Sequence, residues 1–168
     1  CNNLTVYCPA GSYAEQYCLE NFIICNTADY EAIARLKSEL SIPVIANGDV
    51  FSGADAAHIL RYTGCDLAMA GRGTFGNPWL FQQANAACAG LPEPPLPPLA
   101  ERMALALEQI ETLAQVTGEH IACLEARHHL PWYLHGVSHS VYYKTQLVHV
   151  STLEEVRKLV AGIQRDLV

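Results

Sequence analysis

Residues 42–49 read Ile-Pro-Val-Ile-Ala-Asn-Gly-Asp, and residues 66–73 read Asp-Leu-Ala-Met-Ala-Gly-Arg-Gly. Each is a short apolar run that stops abruptly at turn residues. A continuous run of this kind is the mark of a strand buried on both faces, as in parallel sheets. The pattern predicts strands over 42–46 and 66–70. Between them, residues 53–63 predict a helix opened by Ser52 and closed at Gly64. Upstream, Ile33, Leu36 and Leu40 recur at helical spacing over 29–40, with Thr27 or Asp29 as cap. Downstream, Asn77-Pro78 predicts another helix, with Asn as cap and Pro in the first turn. Residues 29–88 therefore read α-β-α-β-α, and such alternation argues a parallel α/β sheet whose two strands lie side by side.

Outward from this block the chain changes character. Residues 3–7 read as a short strand, and 8–27 carry no clear period. Residues 91–98 hold five prolines in eight positions, a stiff extended connector. Beyond it everything reads as helix: 99–116, then 119–130 with Pro131 set to break or kink it, then a last helix opened by the capping box Ser151-x-x-Glu154. That last helix has an apolar face of Leu153, Val156, Leu159, Val160, Ile163 and Leu167. The organisation expected is α/β over 1–90, a linker over 91–98, and an all-α bundle over 99–168.

Composition narrows the function classes. The chain has 168 residues, 51% hydrophobic and 16% charged, enough for a packed core. It is too short for a complete (β/α)8 barrel of about 250 residues. No apolar run approaches the ~20 residues that span a bilayer, and no signal peptide is visible. The first residue is Cys1, which leads us to expect upstream sequence. Net charge is −7, which argues against a general nucleic-acid coat and leaves room for a local basic patch. Residues 1–98 set four basic side chains against nine acidic ones, and 99–168 set six against eight. Seven cysteines, with no C-x-x-C pair, suit a reducing compartment and small core residues such as Cys65 ahead of Asp66.

The chemistry is expected at the strand ends, where parallel α/β folds bind ligands. Either glycine turn alone reads as an ordinary βα connection. Taken together, with Arg72 between two glycines, they read as a phosphate site: backbone N–H groups approach the anion and the guanidinium neutralises it. Asp49 could act as a base or as a hydrogen-bonding residue. His128, His129, His135 and His139 could suggest a metal, but His135 and His139 straddle Gly136 with no acidic partner close by, which favours a surface or loop reading. Trp132 and Tyr133 could stack on a nucleobase or sit in the core.

The string Ile-Pro-Val-Ile-Ala-Asn-Gly-Asp, then Tyr-Thr-Gly-Cys-Asp, then Gly-Arg-Gly-Thr-Phe-Gly-Asn-Pro-Trp-Leu-Phe closely resembles the tRNA-dihydrouridine synthases. The likeness runs back through Thr27–Ile33 and forward to Glu125-Ala126-Arg127-His128-His129 and Trp132-Tyr133-Leu134. It implies a partial (β/α)8 TIM barrel, its last strands, followed by the family's helical RNA-binding domain. It implies a cytoplasmic oxidoreductase that uses FMN and NADPH to reduce uridine to 5,6-dihydrouridine in tRNA. Asn47, Gly48, Asp49, Gly71 and Arg72 would bind FMN, the last two at its phosphate, and Arg127 and His128 would face tRNA. The family usually has Lys where this chain has His128, and His-Gly-Arg-Thr where it has Tyr7-Cys8-Pro9-Ala10. The family's catalytic cysteine belongs to the first half of the barrel, so no catalytic residue and no metal ligand is assigned here, and the chain alone is expected to be inactive. Two other readings stay open: a non-catalytic half-barrel remnant or interaction module, which would dimerise or pair with a missing N-terminal half-barrel, and another FMN- or phosphate-binding TIM-barrel oxidoreductase.

Overall fold

The computed structural model describes residues 5–7, 24–26 and 29–167, with side-chain detail from Asp29 onward. The region 8–23, which has no clear sequence period, lies outside the described residues. The chain forms two compact units. One holds the described residues up to Thr74 together with Trp79–Pro94. The other holds Phe75–Pro78 together with the described residues from Pro95 onward.

In the first unit β1 (Thr5–Tyr7) pairs in parallel with β2 (Ile24–Asn26). Helix α1 (Tyr30–Glu39) follows, capped by the Asp29 carboxylate, which accepts from the Ala32 amide. Then come β3 (Ile45–Asn47), α2 (Gly53–Thr63) and β4 (Leu67–Met69). The β3 and β4 strands are adjacent and parallel, as expected, with Ala46 opposite Ala68 and Asn47 opposite Met69. Helix α2 has the predicted bounds. The Ser52 hydroxyl accepts from the Asp55 amide, and the Asp55 carboxylate accepts from the Phe51 amide in return. A cap of this kind contributes about 1 kcal/mol. Helix α3 (Leu80–Cys88) begins later than predicted, because residues 78–79 form a turn whose Trp79 carbonyl takes the first helical bonds.

The core of this unit is Ala46, Val50, Ala56, Ile59 and Cys65, with Tyr30, Ile33, Val44 and Leu60 packed around it. The expectation of strands buried on both faces fails here. Ala46 is fully buried, but Ile45, Leu67 and Met69 are each more than half exposed. Helices cover one face of the pair, and among the described residues nothing covers the other.

The second unit is helical: α4 (Leu99–Thr117), α5 (Glu119–Tyr133), α6 (Val141–Leu147) and α7 (Leu153–Asp166). Met103, Ile110, Leu130, Leu134, Leu147, Val156 and Ile163 form its core. Pro131 neither breaks nor ends α5, which runs on to Tyr133. So near the helix end a proline forfeits one bond, and the closing turn tightens, with the Leu134 amide donating to the Pro131 carbonyl. The last capping box sits one residue later than predicted, at Thr152 and Glu155. Glu154 is drawn instead to Lys158, 2.6 Å away. Among the described residues no helix is long and apolar enough to cross a membrane.

Candidate functional site

Two strand-end turns are tied together in the first unit. After β3 the chain turns through Gly48 and Asp49, and Asp49 takes a left-handed backbone (φ 47°), a conformation that Asp tolerates better than most side chains. After β4 it enters a tight turn over Arg72–Thr74, closed by the Thr74 amide and hydroxyl on the Gly71 carbonyl. Arg72 Nη2 donates to Asp49 Oδ1 at 2.9 Å. The carboxylate is largely shielded while the guanidinium stays two-thirds exposed. The Arg72 head also lies 5.9 Å from the centre of the Phe51 ring. One edge of a planar cation is thus fixed while most of it stays exposed, a geometry that can receive an anion.

The glycines around Arg72 differ in role. A side chain at Gly73 would overlap the Val50 carbonyl, so Gly73 lets the two turns approach. At Gly71 an added Cβ would meet nothing, so the backbone there is uncovered. Asn47 is exposed at the end of β3, opposite Met69, on the same open face as Ile45 and Leu67.

Tyr30 escaped sequence reasoning. Its hydroxyl donates to the Gly48 carbonyl at 3.1 Å and so holds the first turn from behind. Its ring sits 6.0 Å from His58 and 5.9 Å from Tyr62, which themselves lie 6.0 Å apart. Burial, with the Asp49 and Asp55 charges, pushes its phenol above the usual range. It therefore stays a neutral donor at physiological pH. Nearby, Lys37 and the Val44 amide bond the Asp66 carboxylate and hold it below its ordinary range.

In the helical unit Arg127 and His128 diverge, as neighbours on a helix must at about 100° per residue. Arg127 Nε donates to the Val150 carbonyl at 2.8 Å and Nη2 to the Ser151 hydroxyl at 3.3 Å. The carboxylates that could have paired with it are engaged elsewhere. Glu119 accepts from the Leu153 amide, Glu125 lies beside His129, and Glu154 bonds Lys158. His128 is exposed. Cys65 is buried, as its place before β4 suggested.

The dihydrouridine synthase family model matches residues 18–167, nearly the whole chain. This chain belongs to the dihydrouridine synthase family. It is 40% identical over 131 residues to a probable tRNA-dihydrouridine synthase of Mycobacterium tuberculosis (strain CDC 1551 / Oshkosh), covering 77% of this chain and 34% of that one. It is 41% identical over 110 residues to tRNA-dihydrouridine synthase B of Pasteurella multocida (strain Pm70), covering 66% and 33%. A probable tRNA-dihydrouridine synthase of Rickettsia conorii is 35% identical over 117 residues, covering 70% and 35%. The chain spans about a third of the length of these curated relatives. Within this dihydrouridine synthase segment the structure joins Asp49 to Arg72 directly, while Asn47, Gly48 and Gly71 belong to the same two strand ends.

Proposed function

We propose that this chain is the carboxyl-terminal portion of a cytoplasmic tRNA-dihydrouridine synthase, an FMN-dependent oxidoreductase that reduces uridine to 5,6-dihydrouridine in tRNA with NADPH as reductant. On this reading residues 1–90 are the last strands of a (β/α)8 barrel, 91–98 a linker and 99–168 the tRNA-binding helical domain. The observation that carries the reading is the Asp49–Arg72 pair across the ends of two parallel strands.

The residues present fit a flavin phosphate. Arg72 offers an oriented and exposed guanidinium, and Gly71 leaves its backbone open. Gly71 and Arg72 would hold the phosphate, and Asn47, Gly48 and Asp49 would hydrogen-bond the rest of the cofactor. Bound FMN supplies hydride transfer. This chain's residues bind and orient it, and Asp49 steadies Arg72. Arg127 keeps part of its guanidinium free for tRNA beyond its bonds to Val150 and Ser151, with exposed His128 beside it.

The test is FMN affinity in the enzyme that carries this segment. Arg72→Ala removes a charge-assisted contact and should weaken binding by about 1.5–3 kcal/mol. Flavin titration that finds equal affinity in both proteins would remove the phosphate role. A second reading has its own observation. The open apolar face of β3 and β4 suits a non-catalytic half-barrel that pairs with another chain. A chain that binds neither FMN nor tRNA but forms a defined dimer would favour it.

A further inference from the structure

Large rings on a surface helix normally point inward, and α5 departs from that rule. Ala122, Cys123, Ala126, Leu130 and Tyr133 form its buried stripe. With about 100° per residue, Trp132 falls on the opposite side, in line with His128 and with His135 in the closing turn. His128 and His135 are exposed, and Trp132 is 48% exposed. The Trp-Tyr pair is therefore split. Tyr133 is core and donates to Gln109 Oε1 at 2.9 Å, while Trp132 faces out.

The indole is held in a set of rings. His135 stacks with it at 26°, with 6.5 Å between ring centres. Phe75 meets it at 6.0 Å and meets His129 edge-on at 5.4 Å. Gly76 anchors Phe75, because its backbone lies so close to that of Trp132 that a Cβ would overlap the Trp132 carbonyl. Among the described residues, the arginine that reaches this end of α5 is Arg102, which is partly buried and spends Nη2 on the Tyr133 carbonyl. The one arginine of α5 itself, Arg127, is turned away toward Val150, and Glu125 sits beside His129. A carboxylate at this place repels a phosphate backbone and leaves flat π-faces and imidazole N–H groups as the recognition chemistry.

We propose that Trp132, flanked by Phe75 and His135, is the platform on which one unpaired nucleobase of RNA stacks. The proposal rests on the tRNA reading above and adds the type of contact. Unpaired bases are the part of RNA that proteins recognise by stacking on aromatic rings. Stacking needs no net positive charge, which reconciles RNA binding with a chain of net charge −7.

The chain has two tryptophans, so Trp79→Phe leaves Trp132 as the sole fluorophore. In that background a short single-stranded oligouridine should quench the emission, and a blunt RNA duplex should not. With an unmodified tRNA transcript, Trp132→Ala and Trp132→Leu should each weaken binding about 5- to 100-fold, and Trp132→Phe less. The slope of affinity against salt should stay that of the parent, because no phosphate contact is lost. Arg127→Ala is the contrast: it should lower that slope by about one contact. Trp132→Leu keeps bulk without a π-face, and Trp132→Phe keeps a ring, so the series remains readable if the alanine variant does not fold. Parental affinity in the leucine variant, or equal quenching by the duplex, overturns the platform alone. Failure of the parent chain to bind either RNA overturns the tRNA reading and the platform with it.

Discussion

Asp49 and Arg72 lie 23 positions apart, and each was visible in the sequence for a separate reason. Arg72 stood out between two glycines, and Asp49 ended a strand. Their union was not visible, since it depends on the register that sets Asn47 opposite Met69. Tyr30 was less legible still. A tyrosine at the first position of a helix carries no chemical signal until the chain brings it to the Gly48 carbonyl. Tyr30→Phe deletes one neutral hydrogen bond, worth about 0.5–1.5 kcal/mol. The melting temperature should fall accordingly. In the FMN-binding enzyme the flavin dissociation constant should rise more than for Tyr62→Phe, whose hydroxyl is not the one that holds the Gly48 turn. Thermal unfolding and flavin titration check both. Equal effects from the two variants would assign Tyr30 to the ring cluster and not to the turn.

Elements were most legible where local chemistry alone decides. Helix α2 has its cap at Ser52 and its stop at Gly64, both readable by eye. The start of α7 was degenerate, because Ser151-x-x-Glu154 and Thr152-x-x-Glu155 fit the same pattern. Other partners separate them: Lys158 draws Glu154 away, and the Ser151 hydroxyl is engaged by Arg127 and by the His149 carbonyl. Asn77-Pro78 reads as the cap and first position of a helix, whereas that helix starts at Leu80 and Phe75–Pro78 groups with the helical unit. Gly76 is the reason, and it permits a sharp prediction. Gly76 and Gly90 share nearly the same left-handed backbone, φ 66° and 69°. Alanine at Gly90 meets open space and should cost only the backbone strain of about 1–2 kcal/mol. Alanine at Gly76 adds overlap with the Trp132 carbonyl and should cost roughly 1–3 kcal/mol more. Denaturant midpoints measure the difference, and equal costs would mean that the close approach has no energetic weight.

At the scale of the molecule, the parallel pairing and the helical second half were both legible, since each follows from periodicity. The open face was not. An apolar run reads as buried whichever faces are covered, and Ile45, Leu67 and Met69 are exposed. Contiguous apolar surface of this kind drives association, and a net charge of −7 only moderates it. Sedimentation velocity should show concentration-dependent self-association of the chain. Replacing Ile45, Leu67 and Met69 together by threonine should reduce it while leaving the helical signal intact. Association that persists unchanged would locate the contact elsewhere.

Glu119 opens α5, yet its carboxylate accepts from the amide of Leu153, the first residue of α7, across 34 positions. The final helix thus takes part of its N-terminal satisfaction from a distant element. That bond cannot form until α5 and α7 have met, and we expect it to form after the rate-limiting step of folding. A late contact leaves the refolding rate nearly untouched and slows unfolding instead. On that expectation Glu119 acts as a latch on the departure of the last helix, and Glu119→Ala should raise the unfolding rate more than it lowers the refolding rate.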